Sequence, residues 1–462
     1  MKDRFGFDWA GIPGTYFWRK PHLGRRLFFR HLAAGIGGYA LLPGRPGETI
    51  ARAAAGRPIN KAKNVIFVLL SGGASHTDTF DLKTGPWTPA NFNPTSYDGL
   101  QWAQGLMPRL AEQMNSIAVV RSVRSWAAVH DLARNWIQIG RNPIASTAAI
   151  APHIGSVASL ELGPQSPGKV LPTFIALNSG NNLPGAGYLS PEHAPFYVDA
   201  NGAGLGNTAH PDGTAAFERR HGLLTRLETE ERQVNPLGAG TMEMMKFNDG
   251  ARNLMYNPMV DATFRFANDE RLRYGNSGFG NSCLAARNLL RNKLGTRFIQ
   301  ISVGGWDNHA NIYQGPFNAA NANSLARQFD TGLGALIADL KEGGLLDETL
   351  ILAMGEFGRT VGPLNTGAGR DHFLQQAVLF AGAGIRGPKV IGQTDDIGRA
   401  TTEPGWGRGR DVRAEDVEAT IYSALGIDWT TVRRDDPLGR GFEYVPFAAS
   451  QDLYGPLHEL WG

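Results

Sequence analysis

Between residues 297 and 354 the chain reads as a strand, a helix and a strand, and few folds accommodate that order. Residues 297–303 (RFIQISV) and Thr349–Met354 (TLILAM) are apolar runs of strand length. Between them Leu325, Phe329, Leu333, Leu336, Ile337 and Leu340 recur at spacings of three and four, which puts them on one helical face. Gly343-Gly344 ends that helix. A strand, a crossover helix and a second strand imply parallel strands with a right-handed connection. Asn64–Leu70 (NVIFVLL) is uninterrupted apolar sequence, as in a strand buried on both faces. Residues 117–120, 173–177 and 376–380 read as further strands, and helices are expected over 214–232 and 258–294. Val417, Ile421, Ala424 and Leu425 mark a late helix closed by Gly426. The expected fold class is α/β, with a mostly parallel central sheet flanked by helices on both faces.

At 462 residues, 42% hydrophobic and 19% charged, the chain can bury a large core. No run of about 18 apolar residues is present, which excludes a membrane-spanning helix of ordinary length. The single cysteine, Cys283, excludes an internal disulfide and a thiolate metal cluster. Basic charge is concentrated at the start. Residues 1–63 hold 12 Lys and Arg against three Asp and Glu, whereas the rest holds 33 against 39. A mildly acidic body argues against nucleic-acid binding, which needs basic side chains along a groove.

Within that basic start, Arg25-Arg26-Leu27-Phe28 precedes a weakly apolar run over residues 32–42, and Ala53-Ala54-Ala55 offers a small-residue cleavage site. These are the parts of an export signal, and the paired arginines resemble the twin-arginine (Tat) type, which exports folded proteins. Residues 1–60 are therefore read as leader and linker, with the Tat machinery as a partner. The mature protein is then expected in the periplasm or outside the cell. Residues 61–462 are read as one α/β domain, with an irregular Gly-, Pro- and Asn-rich insertion near 182–212.

In parallel sheets, ligands sit beyond the carboxyl ends of the strands, where loops converge on one crevice. Three predicted strands are followed there by chemistry-bearing residues: His76 and Asp78 after the first, Asp307 and His309 after Val303, Glu356 and Arg359 after Met354. Asp371 and His372 precede the strand starting near Gln376. Imidazole nitrogen with carboxylate oxygen suits zinc, manganese or iron, and an aspartate can also fix a ligating histidine's tautomer. Position beside glycines at strand ends distinguishes these residues from His193, His210 and His458, which lie in loop or terminal contexts. His130 and Arg134 open a further segment whose helix N-terminus would point at the same crevice. Arg134 and Arg359 could hold an oxyanion such as phosphate or sulfate.

These motifs resemble, in order, those of the bacterial domain of unknown function 1501 family. They are residues 67–73 with His76-Thr77-Asp78, Gly305-Trp306-Asp307-Asn308-His309, Gly355-Glu356-Phe357-Gly358-Arg359-Thr360 and Gly369-Arg370-Asp371-His372. The resemblance covers roughly 61–430 and implies a relationship to the alkaline phosphatase and sulfatase superfamily. That implies an alkaline-phosphatase-like fold and one or two divalent metals for hydrolysing phosphate or sulfate esters. By order, Asp307 and His309 would fill the middle metal-binding pair, Glu356 the position after the next strand and His372 the late histidine. His76 or Asp78 would complete a second site. His130 falls where the nucleophile stands and Arg134 where its arginine stands. The chain departs from the pattern in three places. No aspartate ends the first strand, Phe357 stands where a metal-binding histidine would follow the acid, and no hydroxyl or thiol occupies the nucleophile position. The expected activity is thus an exported, metal-dependent ester hydrolase in which metal-activated water or His130 replaces the usual nucleophile, His130 serving alternatively as general acid. The alternative is a protein of the same fold without catalysis, serving as a binding or assembly module.

Overall fold

The computed structural model describes residues 57–462, apart from 167–168, 181–182 and 236. The expected leader and linker over 1–60 lies outside the described residues as far as Gly56, and Arg57–Gly462 forms one compact unit. Among the described residues no helix is long and apolar enough to cross a membrane.

Eight strands build the central sheet: β1 (Asn64–Leu70), β2 (Ile117–Arg124), β3 (Phe174–Leu177), β4 (Phe196–Val198), β5 (Phe298–Val303), β6 (Thr349–Met354), β7 (Gln375–Gly382) and β8 (Lys389–Ile391). Their spatial order is β8-β2-β7-β6-β1-β5-β3-β4. β1 pairs in parallel with β5 and β6, β5 with β3, β3 with β4, and β2 with β8. Strand β7 alone is antiparallel, to both β6 and β2. The physical reason lies in the connection. A parallel return needs a crossover, usually helical, and residues 355–374 contain no helix. The chain therefore turns back directly, as a wide hairpin.

Alternation along β1 shows why its sequence is apolar without a break. Ile66, Val68 and Leu70 face one core, with helices α3 (Gly278–Asn292) and α4 (Leu325–Glu342) packed over it. Val65, Phe67 and Leu69 face a second core, covered by α2 (Ile154–Leu162) and α5 (Ala414–Ala424). The predicted stripe of α4 is its buried face: Phe329, Leu333, Leu336, Ile337 and Leu340 are all at most 1% exposed. The helical region expected over 258–294 is broken into Pro258–Phe264, Asn268–Arg273 and α3. The breaks fall at Arg265 to Ala267 and at Tyr274 to Ser277. Gly275 and Asn276 adopt positive φ there, which no helix continues through. Within the stretch read as an irregular insertion the chain supplies β4, the strand at one edge of the sheet.

Register brings the strand ends level. Leu70 lies opposite Val303, and Leu69 opposite Met354. Gln375, at the start of β7, lies opposite Arg124 at the end of β2. The loops after β1, β2, β5 and β6 and before β7 therefore share one edge, and α1 (His130–Ile139) begins six residues past β2 at that edge.

Candidate functional site

The loops after β2 and β5 and the loop between β6 and β7 deliver side chains to a single cluster. His130 is the first residue of α1, Asp307 and His309 follow β5, and His372 precedes β7. His372-Phe373 also pairs antiparallel with Gly358-Arg359, which closes the 355–374 loop into a small ribbon and holds His372 opposite Arg359.

Three imidazoles turn toward the Asp307 carboxylate. His309 Nε2 lies 2.9 Å from Oδ1, His372 Nε2 3.4 Å from Oδ1 and His130 Nε2 3.3 Å from Oδ2. His309 Nε2 and His372 Nε2 are themselves 3.2 Å apart. One ligand atom from each of His130, Asp307 and His372 falls within 4.8 Å of the others. The opposite ring nitrogens all face acceptors: His130 Nδ1 meets Glu356 Oε1 at 2.9 Å, His309 Nδ1 meets Asp371 Oδ1 at 2.7 Å and His372 Nδ1 meets the Ala128 carbonyl at 3.0 Å. Protons on the three Nδ1 atoms satisfy those acceptors and leave the Nε2 lone pairs pointing inward. A carboxylate or carbonyl behind the imidazole is the arrangement that orients metal-ligating histidines.

The donor set fits a divalent cation. Inward lone pairs beside a carboxylate repel one another until something positive lies between them. His130 Nε2 is buried without a hydrogen-bond partner among the described residues. Among the described residues, the one fixed cation in contact is Arg359, 1% exposed, whose Nη2 donates to Asp307 Oδ1 at 2.7 Å. Its Nε donates to the Gly73 carbonyl at 2.9 Å, Nη1 to the Arg370 carbonyl at 3.1 Å and Nη2 also to the Gly72 carbonyl. Asp307 is held at about 2. Burial pushes its carboxyl up, but the Arg359 hydrogen bond and charge, with His130 and His309, push it down by more. It stays anionic throughout the physiological range.

The structure separates the sequence-predicted residues into three groups. His130, Asp307, His309 and His372 meet, with Arg359 on the carboxylate. Glu356 and Asp371 stand one layer back, each behind a histidine. Glu356 is fully buried, and its Oε1 also accepts the Gly72 N–H at 2.8 Å. Asp371 is held below the usual carboxylate range by hydrogen bonds from His309 and Asn365. The remaining residues are engaged elsewhere. Asp78 is a buried partner of Arg370 (2.6 Å) and accepts from Ser75 and Tyr313. His76 Nε2 lies 2.8 Å from the Gly398 carbonyl, and burial pushes its pKa down. Arg134 pairs with Asp131 on the outer face of α1.

Sequence reasoning passed over several supporting residues. Phe357, noted only as a missing ligand, packs its ring against His130 and His372 at 4.9 and 4.7 Å between centroids. Ser125 donates to the Glu356 carbonyl at 2.9 Å, and Asn365 donates to Asp371 at 3.3 Å. Their signal was proximity to strand ends alone, which many loop residues share.

No curated protein sequence matches the chain. Among solved structures it is similar to the PsFucS1 sulfatase from a Pseudoalteromonas species, at 12% identity over 84% of this chain and 72% of that one, with a TM-score of 0.40. It is also similar to the lipoteichoic acid synthase LtaP from Listeria monocytogenes (11% identity, 84% and 77% covered, TM-score 0.38). A protein of the alkaline phosphatase superfamily from Vibrio parahaemolyticus shows 13% identity, 84% and 77% coverage and a TM-score of 0.35. The family model described as "Protein of unknown function (DUF1501)" matches residues 62–445, from just before β1 to beyond α5, and every residue of the histidine cluster falls inside it. On that match, the chain belongs to the DUF1501 family.

Proposed function

We propose that the protein is an exported, metal-dependent hydrolase of phosphate or sulfate esters. The observation that carries the reading is the inward convergence of three imidazole Nε2 atoms on an ionised aspartate, each imidazole backed by an acceptor at Nδ1. His130, His309, His372 and Asp307 would hold one ion. Asp78 and His76, committed to other partners, offer no second set. A divalent ion held there would supply Lewis-acid polarisation of an ester oxygen and would lower the pKa of a water towards neutrality.

The chain's own residues supply the rest. Glu356 and Asp371 orient His130 and His309 and raise their basicity by accepting hydrogen bonds from their Nδ1–H groups. Arg359, locked by three backbone carbonyls, holds Asp307 in one rotamer. Phe357 excludes water from beneath His130 and His372. The Tat-like leader supports export after folding and metal loading in the cytoplasm. Among the described residues no Ser, Thr or Cys side chain is hydrogen-bonded to the cluster, which favours attack by water over a covalent route.

Metal content of the leaderless protein, measured by mass spectrometry beside Asp307→Ala/His372→Ala, tests the reading. One equivalent of a transition metal, lost in the variant with folding intact, and turnover of a phosphate or sulfate monoester that disappears with it, is the expected result. Metal bound without turnover of either ester class would favour the non-catalytic binding module. No metal after incubation with zinc, manganese and iron would overturn the metal site itself.

A further inference from the structure

The helix that begins at His130 ends beside a second concentration of charge. Arg141 stands two residues past α1, on the order of 15 Å along its axis from His130. It is only 6% exposed, yet no carboxylate lies within ion-pairing distance of it among the described residues. Its Nε donates to the Ile139 carbonyl at 3.3 Å, and its Nη2 to the carbonyls of Glu443 and Tyr444 at 2.7 and 2.9 Å. The guanidinium lies 3.9 Å over the Phe442 ring. Carbonyls and a ring satisfy its hydrogens without neutralising its charge, and a buried charge ordinarily has a counter-charge. Glu418 does not provide one, because burial pushes its carboxyl up to about 8 and leaves it largely protonated at neutral pH.

Arg141 lines an open cavity of about 520 Å³, with Arg434 and Arg440 also in its wall. Both are exposed, and neither side chain has an ion pair or hydrogen bond among the described residues. Nearby arginines behave differently: Arg433 is paired with Asp435, Arg408 with Asp452 and Arg410 with Asp416. Gly441 contributes to the shape. Its φ is +85°, a conformation that favours glycine, and the Arg434 guanidinium lies against it, with Nη1 2.8 Å from where a Cβ would stand. The one carboxylate in the wall, Glu443, already accepts the Phe447 N–H. Phe442, Phe447 and Pro446 add apolar surface beside the guanidinium groups.

We propose that this cavity binds a small organic dianion, an apolar body carrying two anionic groups, at a site separate from the histidine cluster. Two charges match the two free guanidinium groups at the wall, and Arg141 supplies the buried field behind them. Arginine suits such a site because its planar fork pairs with two-oxygen anions. The proposal does not depend on the metal-site reading.

The probe is benzene-1,3-disulfonate, whose carbon–sulfur bonds resist ester hydrolysis, titrated calorimetrically into the full chain at low salt. Saturable one-to-one binding is expected, weakened at least tenfold in Arg434→Ala/Arg440→Ala. Ser450→Glu, which places a negative charge in the wall, should weaken it similarly. The affinity should be unchanged in Asp307→Ala/His372→Ala, and uncharged benzene-1,3-disulfonamide should not bind. Absence of saturable binding, equal affinity in the arginine variant, or loss confined to the Asp307→Ala/His372→Ala variant would each overturn the proposal.

Discussion

At the scale of single residues, the site depends on which nitrogen of each histidine is free. His130 shows the logic most simply: Glu356 accepts a hydrogen bond from Nδ1–H, so Nε2 is left to the cluster. Glu356→Gln keeps an acceptor for the Gly72 N–H but removes the charge behind His130. Metal affinity should fall roughly 10- to 100-fold with the fold retained, as measured by competition with a chelator. A second residue-scale prediction concerns Glu418. Its carboxyl is pushed from an ordinary 4.5 up to about 8 by burial, against the opposing influence of Arg141 and the Tyr422 hydrogen bond. The native state then keeps a proton that the unfolded chain has released, so stability falls as pH rises through that window and levels off above it. Glu418→Gln should flatten this dependence, matching the parent protein at pH 5 and melting higher at pH 8.5.

At the scale of elements, the decisive features are the crossings of loops at the sheet edge. Gly72, with φ +109°, passes so close to the β5 loop that a Cβ would lie 2.5 Å from the Asp307 nitrogen. Gly72→Ala should therefore displace Asp307 and abolish metal binding while leaving the far-ultraviolet circular dichroism unchanged. Helix α1 ends at Gly140, whose φ of +59° forms a left-handed cap pressed against the Glu418 side chain. Gly140→Ala combines backbone strain with that collision and should cost about 2 kcal/mol in a denaturant titration. The wide hairpin from β6 to β7 matters most. By returning antiparallel without a helix it brings Glu356, Arg359, Asp371 and His372 to one edge from positions up to 16 residues apart. Sequence reading anticipated the strand and the motif on either side of this turn. It did not anticipate the strand's direction, because a short apolar run such as that over 376–380 reads the same in both senses.

At the scale of the whole molecule, a ligand that binds only the folded chain stabilises it by mass action, by about 2.7 kcal/mol at one hundred times its dissociation constant. If the cluster binds a divalent ion, a chelator should lower the melting temperature of the parent protein and leave Asp307→Ala/His372→Ala unmoved. Calorimetry with and without chelator checks this. The two cores on either face of the sheet account for what could be read in advance. Strands β1, β5 and β6 are buried by apolar runs and helix α4 by a periodic apolar stripe, and periodicity, like an apolar run, is local. It is visible wherever residues three, four or two apart share a face. The motifs at the strand ends were legible for the same reason, since a strand's carboxyl end directs the loop that follows. What local pattern cannot carry is the division of labour within the cluster. Glu356 and Asp307 look alike as acids after strands, yet one lies behind an imidazole and the other before it. Asp78 reads as a ligand until Arg370, 292 residues away, claims it. Those assignments turn on distances between loops remote in sequence, which the parallel register of β1, β5 and β6 sets only once the sheet has formed.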